Sequence, residues 1–330
     1  MVVEKQRQKN AAGLILFIIF FLLFFNGALL WYLFFNEDPI VKSARPYVDE
    51  IVLNDANIRN KALSISSDCS SGETECQVNE IYRYVVENYE YQNDPINKEK
   101  IKSPSKTIFD EGGDCEDFAI LLSSLLENID IETYLVLTDD HAYALACGID
   151  INALEQEVIE SFNRNENLLD ETVILDSYYA YYYGWDGEDA EQAFILDYEV
   201  SSDRSIDVIV TSSSESLDKW ANRESYDSYA SCSRRDVKQY HGTCTMNKYG
   251  GLLIINENSG KARVNVKINI KYNDLNLEEF KTSFEEVDKE DCIILDGTGG
   301  EYSYPGYSEE IKEARVAISP STGEYYVLEE

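Results

Sequence analysis

A cysteine stands at the head of an apolar run in the segment EGGDCEDFAILLSSLLEN, residues 111–128. The apolar residues after Cys115 cover nearly every side of a helix, so the segment predicts a buried helix that begins at this cysteine. A helix N-terminus carries partial positive charge and unpaired N–H groups, which favour a thiolate over a thiol. Cys115 is therefore a candidate nucleophile. From these local features alone, a buried structural cysteine or a disulfide partner is an equal alternative.

A thiolate nucleophile needs a general base, and the chain has 2 histidines. His141 opens the strand-like segment HAYALACGI and is the candidate base, whereas His241 lies in a polar segment and is interpreted as an ordinary exposed residue. A zinc cluster of Cys232, His241 and Cys244 lacks a fourth ligand. A Cys232–Cys244 disulfide is the preferred interpretation, and no metal site is predicted.

Acidic residues and glycines surround the candidate nucleophile. Asp114, Glu116 and Asp117 oppose a thiolate electrostatically, so we expect them to cap the N–H groups of the helix start rather than to take part in catalysis. Gly112 and Gly113 lack side chains, and we expect them to let another backbone, such as that of a substrate, approach closely.

The composition restricts the possible functions. The chain has 330 residues, and its Lys+Arg 28 against Asp+Glu 62 give a net charge of −34. Nucleic-acid binding needs a basic surface, so this class of function is excluded. The hydrophobic content of 44% is ample for a packed core in one large or two small domains.

The N-terminal segment predicts a membrane anchor. Residues 11–35, AAGLILFIIFFLLFFNGALLWYLFF, carry no charge and are long enough to cross a bilayer as a helix. Basic residues precede this run and acidic residues follow it, so we expect residues 1–10 in the cytoplasm and the rest of the protein outside. A cleaved signal peptide is the alternative, but the apolar run is long for one and no small-x-small cleavage site follows it. The predicted location is the cell membrane, with a single pass.

Several further segments have clear patterns. VNEIYRYVVENYEY predicts an amphipathic helix, and IETYLVLTDD with HAYALACGID predicts an antiparallel strand pair. Residues 200–245 are a long polar stretch without a predicted element. GGLLIINEN and KARVNVKINIKYN predict a hairpin around Asn-Ser-Gly, DCIILDGTGG predicts a strand, and ARVAISPSTGEYYVLEE predicts a second hairpin.

The cysteine count indicates disulfides. Outside the cell, the 7 cysteines are interpreted first as disulfide partners, and an odd number leaves at least one unpaired. Cys69 and Cys76 flank a Ser/Gly turn, DCSSGETEC, with a spacing that suits a small disulfide loop.

The segments GGDCEDFAILLSSLLENIDIETYLVL, HAYALACGID and CIILDGTGGEYSYPG together resemble the transglutaminase-like superfamily of papain-type cysteine enzymes. That family has a Cys on a helix after Gly-Asp, a His that begins a strand, and an Asp on the adjacent strand, often in Leu-Asp-Pro-Thr. The resemblance implies that Cys115 is the nucleophile, His141 the base and Asp296 the carboxylate that orients the histidine. Gly297 stands where the family often has proline.

Asp176 is the alternative acid, since it also follows an Ile-Leu pair and lies closer to the histidine in sequence. In an antiparallel ladder, facing residues share a constant index sum and same-face residues differ by even steps. The pairs His141/Asp296 and Cys147/Cys292 have nearly the same index sum, so one register brings both pairs together across the same two strands. Asp176 offers no such second contact, and Asp296 is preferred.

Three disulfides follow as a hypothesis: Cys69–Cys76, Cys147–Cys292 and Cys232–Cys244. This pairing leaves Cys115 as the odd thiol, which fits the role of a nucleophile. Connectivity cannot be deduced from sequence alone, so the pairing stays a prediction at this point.

The resemblance implies an α+β fold, with a transglutaminase-like or papain-like core in which a central helix packs on an antiparallel sheet. We expect a stalk at residues 36–60, the core at residues 61–150 and 289–330, and a large insertion at residues 151–288, all after the transmembrane helix at residues 11–35.

The predicted function is that of a membrane-anchored, extracytoplasmic cysteine acyl-transfer enzyme. A thioester on the cysteine would pass to water, giving proteolysis or amide hydrolysis, or to an amine, giving transamidation. The expected partner is a protein or peptide substrate outside the cell, and no cofactor is predicted. The alternative from another class is a non-catalytic protein-binding or cell-envelope structural module on the same fold.

Overall fold

The computed structural model describes residues 39–328 except residues 71, 96–97, 139, 186–192, 247–248, 301 and 309–314. The predicted transmembrane segment at residues 11–35 lies outside the described residues. Among the helices in the described part, none is both long and apolar enough to span a bilayer.

The chain forms two compact units. Unit 1 runs to Asp150 and resumes at Thr282, and unit 2 is Ile151–Lys281. The second boundary falls before Thr282 rather than after residue 288 as predicted. The reason is that residues 284–287 form a strand that pairs with the strand at residues 290–295 of unit 1.

Unit 1 combines helices with an antiparallel sheet. Its helices within the described residues are α1 (Pro39–Val48), α2 (Ala56–Ile65), α3 (Thr74–Asn88), α4 (Pro104–Asp110) and α5 (Cys115–Glu127). Its strands are β1 (Glu90–Tyr91), β2 (Gly112–Gly113), β3 (Thr133–Leu137), β4 (Ala142–Ala146), β11 (Phe284–Val287), β12 (Glu290–Leu295), β13 (Arg315–Ile318) and β14 (Tyr325–Leu328).

The six-stranded sheet of unit 1 has the order β11-β12-β4-β3-β13-β14. Each neighbouring pair is antiparallel. The short strands β1 and β2 form a separate parallel pair. The predicted strand pair β3/β4 and the predicted hairpin β13/β14 are both present.

Helix α5 is the central helix of unit 1. Almost all of its residues are buried, as the run of apolar side chains predicts. Its Ala119 and Ile120 pack against Leu135 of β3 and Ala142 of β4. The fold is therefore a mixed one, with a buried helix on an antiparallel sheet.

The register of β4 and β12 is the one that the sequence argument requires. Ile293 lies opposite Ala146 and Leu295 lies opposite Ala144. The next pair in this register is Cys147 and Cys292, and a disulfide joins them. His141 directly precedes β4 and Asp296 directly follows β12, so the same ladder brings both residues to one end of the sheet.

Residues 39–60 are not a stalk, contrary to the prediction for residues 36–60. Ala44 of α1 is buried against Val316 and Ile318 of β13. Ile51 packs beside Ala119 at the start of α5. The apolar residues of this segment are scattered among polar ones, and this pattern was too weak to predict the packing.

Unit 2 is built on a second six-stranded sheet. It contains α6 (Ile151–Ser161), β5 (Asn163–Leu175), β6 (Ala180–Trp185), β7 (Phe194–Thr211), α7 (Ser216–Ala221), a 3₁₀ turn (Ala230–Cys232), β8 (Arg234–Met246), β9 (Gly250–Ile255) and β10 (Ala262–Asn273). The order is β5-β10-β7-β9-β6, and β8 also pairs with β7.

Two predictions for unit 2 are wrong. The predicted hairpin of β9 and β10 does not form, because the long strand β7 lies between them and pairs with both. The polar stretch at residues 200–245 contains most of β8, in which buried Gly242, Cys244 and Met246 alternate with exposed residues. Because most residues of this stretch are polar and face outward, the alternation of buried and exposed residues was not recognised in the sequence.

Candidate active site

Cys115 is the first residue of α5 and the remaining free cysteine of the described residues. The other six form the disulfides Cys69–Cys76, Cys147–Cys292 and Cys232–Cys244, which are the pairs proposed from the sequence. The Cys115 thiol donates to Glu116 Oε2 over 3.2 Å. Its sulfur also accepts a hydrogen bond from the backbone N–H of Ala142, the residue after His141. Cys115 and the start of β4 are therefore neighbours.

The surroundings of Cys115 favour the thiol. Burial, then the charge of Glu116 and the hydrogen bond to it, raise the pKa of Cys115 to about 12, while the Ala142 N–H acts in the opposite direction. The prediction of a thiolate at this helix start is therefore wrong. Burial, together with the carboxyl group of Glu116 beside the sulfur, outweighs the positive end of the helix.

A histidine and a carboxylate meet at the edge of the same sheet. His141 Nε2 lies 2.8 Å from Asp296 Oδ2. The other carboxylate oxygen, Oδ1, accepts hydrogen bonds from Thr298 Oγ1 at 2.7 Å and Thr298 N at 3.0 Å. Burial alone would raise the pKa of Asp296, but the hydrogen bond and charge of His141, followed by the bonds from Thr298, lower it. The carboxylate is thus held ionised against the imidazole.

The loop after β12 is fixed from two sides. The hydroxyl of Tyr82, a fully buried residue of α3, donates to the backbone carbonyl of Asp296 over 2.7 Å. A Cβ atom on Gly297 would lie 2.9 Å from Phe118 Cβ on α5. The close approach of α5 explains why glycine stands where the related motif often has proline.

The two glycines before the nucleophile serve the fold rather than a substrate. A Cβ atom on Gly112 would lie 2.4 Å from the carbonyl oxygen of Glu90, the strand partner of this residue. One on Gly113 would lie 2.5 Å from Asp117 Cβ. The space beside both glycines is therefore filled by the protein, contrary to the expectation that a substrate backbone approaches there.

The acidic residues of the helix start also differ from the prediction. Asp114 is the N-cap residue of α5, but its side chain makes no capping hydrogen bond. Asp117 is fully buried and forms an ion pair with Lys102 over 3.0 Å. Asp117 also accepts the backbone N–H of Lys102 over 2.8 Å, so it holds the segment before α4 rather than the helix end.

A cleft of about 780 Å³ is lined by both Cys115 and His141. Its wall also contains Glu116, which hydrogen-bonds to Glu99. Burial and this bond to Glu99 raise the pKa of Glu116 to about 8. Burial and the charge of Asp117 raise the pKa of Asp114, another wall residue, to about 6. Carboxyl groups therefore crowd the sulfur, and they hold their protons more tightly than exposed ones do.

The alternative acid and the second histidine belong to unit 2. Asp176 follows β5 and forms an ion pair with Lys261 over 2.9 Å. His241 lies 2.6 Å from Asp197 on the neighbouring strand and is mostly exposed. Among the predicted site residues, the structure brings His141 together with Asp296, in the unit that also holds Cys115.

Two contributors to this site were missed at the sequence level. Thr298 caps the carboxylate of Asp296 in a turn in which an aspartate accepts the N–H two residues on, a pattern that the string Leu-Asp-Gly-Thr already contains. Glu99 lies in a polar loop, separate in sequence from Glu116, and no local sequence pattern predicts the hydrogen bond between them.

Residues 61–164 match the family model of the Transglutaminase-like superfamily. The matched range includes Cys115 and His141, and Asp296 lies beyond it. The transglutaminase-like domain fits a cysteine-based enzyme fold. A search of curated proteins finds no match. Among solved structures, the crystal structure of the PBSX exported protein XepA is 13% identical, with a TM-score of 0.26 over 38% of this chain and 43% of that one. The chain thus spans less than half the length of that protein.

Proposed function

We propose that this protein is a cysteine acyl-transfer enzyme in which Cys115, His141 and Asp296 act as nucleophile, base and orienting acid. The observation that supports it most directly is the 2.8 Å contact between His141 Nε2 and Asp296 Oδ2, at the end of β4 whose first amide touches the Cys115 sulfur. A side-chain pair of this kind, next to a free thiol in a cleft, is the arrangement of a nucleophile, its base and an orienting group.

The first half-reaction forms a thioester. The proton of the Cys115 thiol passes to Nδ1 of His141 as the sulfur attacks the carbonyl carbon of an amide. The C–N bond then breaks, and the leaving amine takes the proton from the imidazolium. Because the resting form is the thiol, with a pKa raised to about 12, proton removal belongs to the attack itself.

The second half-reaction releases the acyl group. Water or a second amine attacks the thioester carbon, gives its proton to His141, and restores the thiol as the C–S bond breaks. Asp296 holds the imidazole in one tautomer and stabilises its charged form in both halves. The backbone N–H of Cys115, in the first turn of α5, is the proposed donor to the oxyanion.

A histidine exchange tests the proposal. The full chain is treated with p-nitrophenyl acetate at pH 7, and release of p-nitrophenolate and acetylation of Cys115 are followed by absorbance and peptide mass spectrometry. His141→Ala should slow acetylation by about 10²–10⁴-fold, the usual contribution of a general base. His241→Ala is the matched control, since His241 also contacts an aspartate.

The alternative is a non-catalytic binding module on the same fold. It predicts that wild type, His141→Ala and His241→Ala acetylate at the same rate, as a bystander thiol would. That result would remove the enzyme proposal.

The cell location is also part of the proposal. The uncharged run at residues 11–35 supports a single-pass anchor with the transglutaminase-like domain outside, and disulfides persist mainly in oxidising compartments. In sealed right-side-out vesicles, added protease should degrade the domain without detergent. Full protection of the domain until detergent is added would overturn this topology.

A further inference from the structure

We propose that the acyl donor carries a positive charge, namely a lysine or arginine side chain next to the amide that Cys115 attacks. This inference rests on the proposed function and specifies its substrate class.

The charge of the cleft wall is the first observation. Among the described residues that line the cleft, Lys98 is the sole lysine or arginine. The carboxyl groups on the same wall are those of Asp94, Glu99, Asp114, Glu116 and Asp140, of which Glu116 is mostly protonated at neutral pH because its pKa is raised to about 8. A cleft with charges of one sign concentrates ligands of the opposite sign and repels anionic ones.

A buried carboxylate with one oxygen that lacks a donor is the second observation. Asp114 is only 7% exposed and lines the cleft. Within the described part of the chain, its Oδ1 has no hydrogen-bond donor. The charge of a buried carboxylate is costly, and a bound ammonium or guanidinium group next to Asp114 would offset that cost.

Aromatic side chains complete a cation site. The rings of Tyr47 and Tyr91 also line the cleft, and Tyr91 is 49% exposed. Tyrosine faces attract lysine and arginine side chains, and this attraction adds to that of the carboxylates.

The order of the reaction favours the acyl donor over the acceptor. Burial and the charge of Glu116 raise the pKa of Cys115, so the first attack is the step that the carboxylates hinder. A cation that arrives with the donor offsets this charge before the sulfur attacks. An acceptor amine arrives after the thioester has formed and cannot help that step.

The charge preference is measured with three methanethiosulfonate reagents that share one reacting group. Aminoethyl methanethiosulfonate is cationic, the methyl reagent is neutral, and sulfonatoethyl methanethiosulfonate is anionic. Each forms a mixed disulfide with Cys115 and releases a sulfinate. In the full chain at low salt, the cationic-to-neutral rate ratio should exceed the ratio in the urea-denatured chain by about 10-fold, as is usual for electrostatic focusing. Equal ratios in the two states would overturn the inference.

Variants locate the effect. The double variant Glu99→Gln/Glu116→Gln and the single variant Asp114→Asn should each lower the cationic-to-neutral ratio, and so should high salt. The matched control is Glu87→Gln/Asp130→Asn, which removes two exposed carboxylates of unit 1 that make only surface ion pairs. A control that lowers the ratio as much as the cleft variants would assign the effect to net charge and overturn the inference.

Peptides separate a donor cation from a free amine. Three peptide amides are compared that differ at one position, which is lysine, acetyl-lysine or norleucine. The measurement is how well each peptide protects Cys115 from the neutral reagent. Cadaverine, a free amine, is tested in the same way. Protection by the lysine peptide alone supports the inference, whereas equal protection by cadaverine assigns the site to a free amine and overturns it.

The two proposals fail separately. If Cys115 acetylation does not depend on His141, the enzyme proposal fails. If acetylation depends on His141 but the reagents show no charge preference, only the proposal of a cationic acyl donor fails.

Discussion

The sulfur of Cys115 lies between groups with opposite effects. The N–H of Ala142 stabilises a thiolate, whereas Glu116 stabilises the thiol. The imidazole of His141 is fixed by Asp296, whose other oxygen is held by Thr298. The site therefore positions the proposed base firmly, while it keeps the Cys115 thiol protonated at rest. A reaction on this site depends on proton transfer during attack more than on a preformed ion pair.

Asp296→Asn should lower the rate of Cys115 acetylation by about 10²–10⁴-fold, because an amide in place of the carboxylate cannot stabilise the imidazolium. Acetylation by p-nitrophenyl acetate, with thermal unfolding to show that the variant folds, measures the effect. Asp176→Asn is the control, since Asp176 also follows an Ile-Leu pair but forms an ion pair with Lys261. A larger loss in Asp176→Asn than in Asp296→Asn would reverse the assignment.

Thermal stability should fall as the pH rises from about 5 to 9. Burial and Glu99 raise the pKa of Glu116 to about 8, so the folded protein binds this proton more tightly than the unfolded chain. The resulting stability is fully present below the ordinary glutamate pKa and is lost as the pH passes the raised value.

Scanning calorimetry of Glu116→Gln checks this assignment. The variant should lose much of the slope and melt higher than wild type at pH 9, by about 2–4 °C for each kcal/mol removed. Glu87→Gln, at an exposed position, should keep the slope of wild type. An unchanged slope in Glu116→Gln would show that this carboxyl is not the titrating group.

At the scale of elements, the ladder of β4 and β12 determines the site. Three residue pairs join the two strands. His141 and Asp296 lie at one end of this ladder, and the Cys147–Cys292 disulfide lies at the other end. A one-residue slip of this register would turn Asp296 to the opposite face of the sheet. The disulfide and the contact between His141 and Asp296 therefore depend on the same alignment.

Removal of this disulfide in Cys147→Ala/Cys292→Ala should lower the free energy of unfolding by about 2–5 kcal/mol and should also slow acetylation of Cys115. Urea unfolding and the acetylation assay measure the two effects. Cys69→Ala/Cys76→Ala is the control, because that disulfide closes a sequence separation of only 7 rather than 145. Equal losses in both variants would show that the strand tie has no special role.

The elements that carry the site were predictable for identifiable reasons. The apolar run after Asp114 predicts helix α5. Two short apolar runs on either side of a turn predict β3 and β4. The register of β4 with β12 followed from two residue pairs that had to agree. These are regular patterns of short period, which sequence displays directly.

The missed features depend on contacts that no local pattern encodes. The position of β7 between β9 and β10 is a matter of topology, which strand propensity does not specify. The packing of Ala44 on β13 joins residues far apart in the chain. The thiol state of Cys115 was missed for a similar reason, since its first cause is the burial of the sulfur, which the local sequence does not specify.

At the scale of the whole molecule, the net charge of −34 is the dominant electrostatic feature. Like charges repel most in the folded state, where they lie closest together. The melting temperature should therefore rise between about 0.01 M and 0.5 M sodium chloride, as the screening length falls from about 30 Å to below 8 Å. Choline chloride should give the same rise at equal ionic strength. A fall or no change with both salts would contradict this prediction.

The position of Asp296 in the chain has a consequence for biosynthesis. The acid follows its histidine partner by 155 residues, and all of unit 2 lies between them. A ribosome thus makes the proposed nucleophile and base long before it makes the carboxylate that contacts the histidine. The nascent polypeptide stays without the complete proposed triad until the interposed unit has been synthesised, so on the proposed function the order of translation itself delays the onset of reactivity.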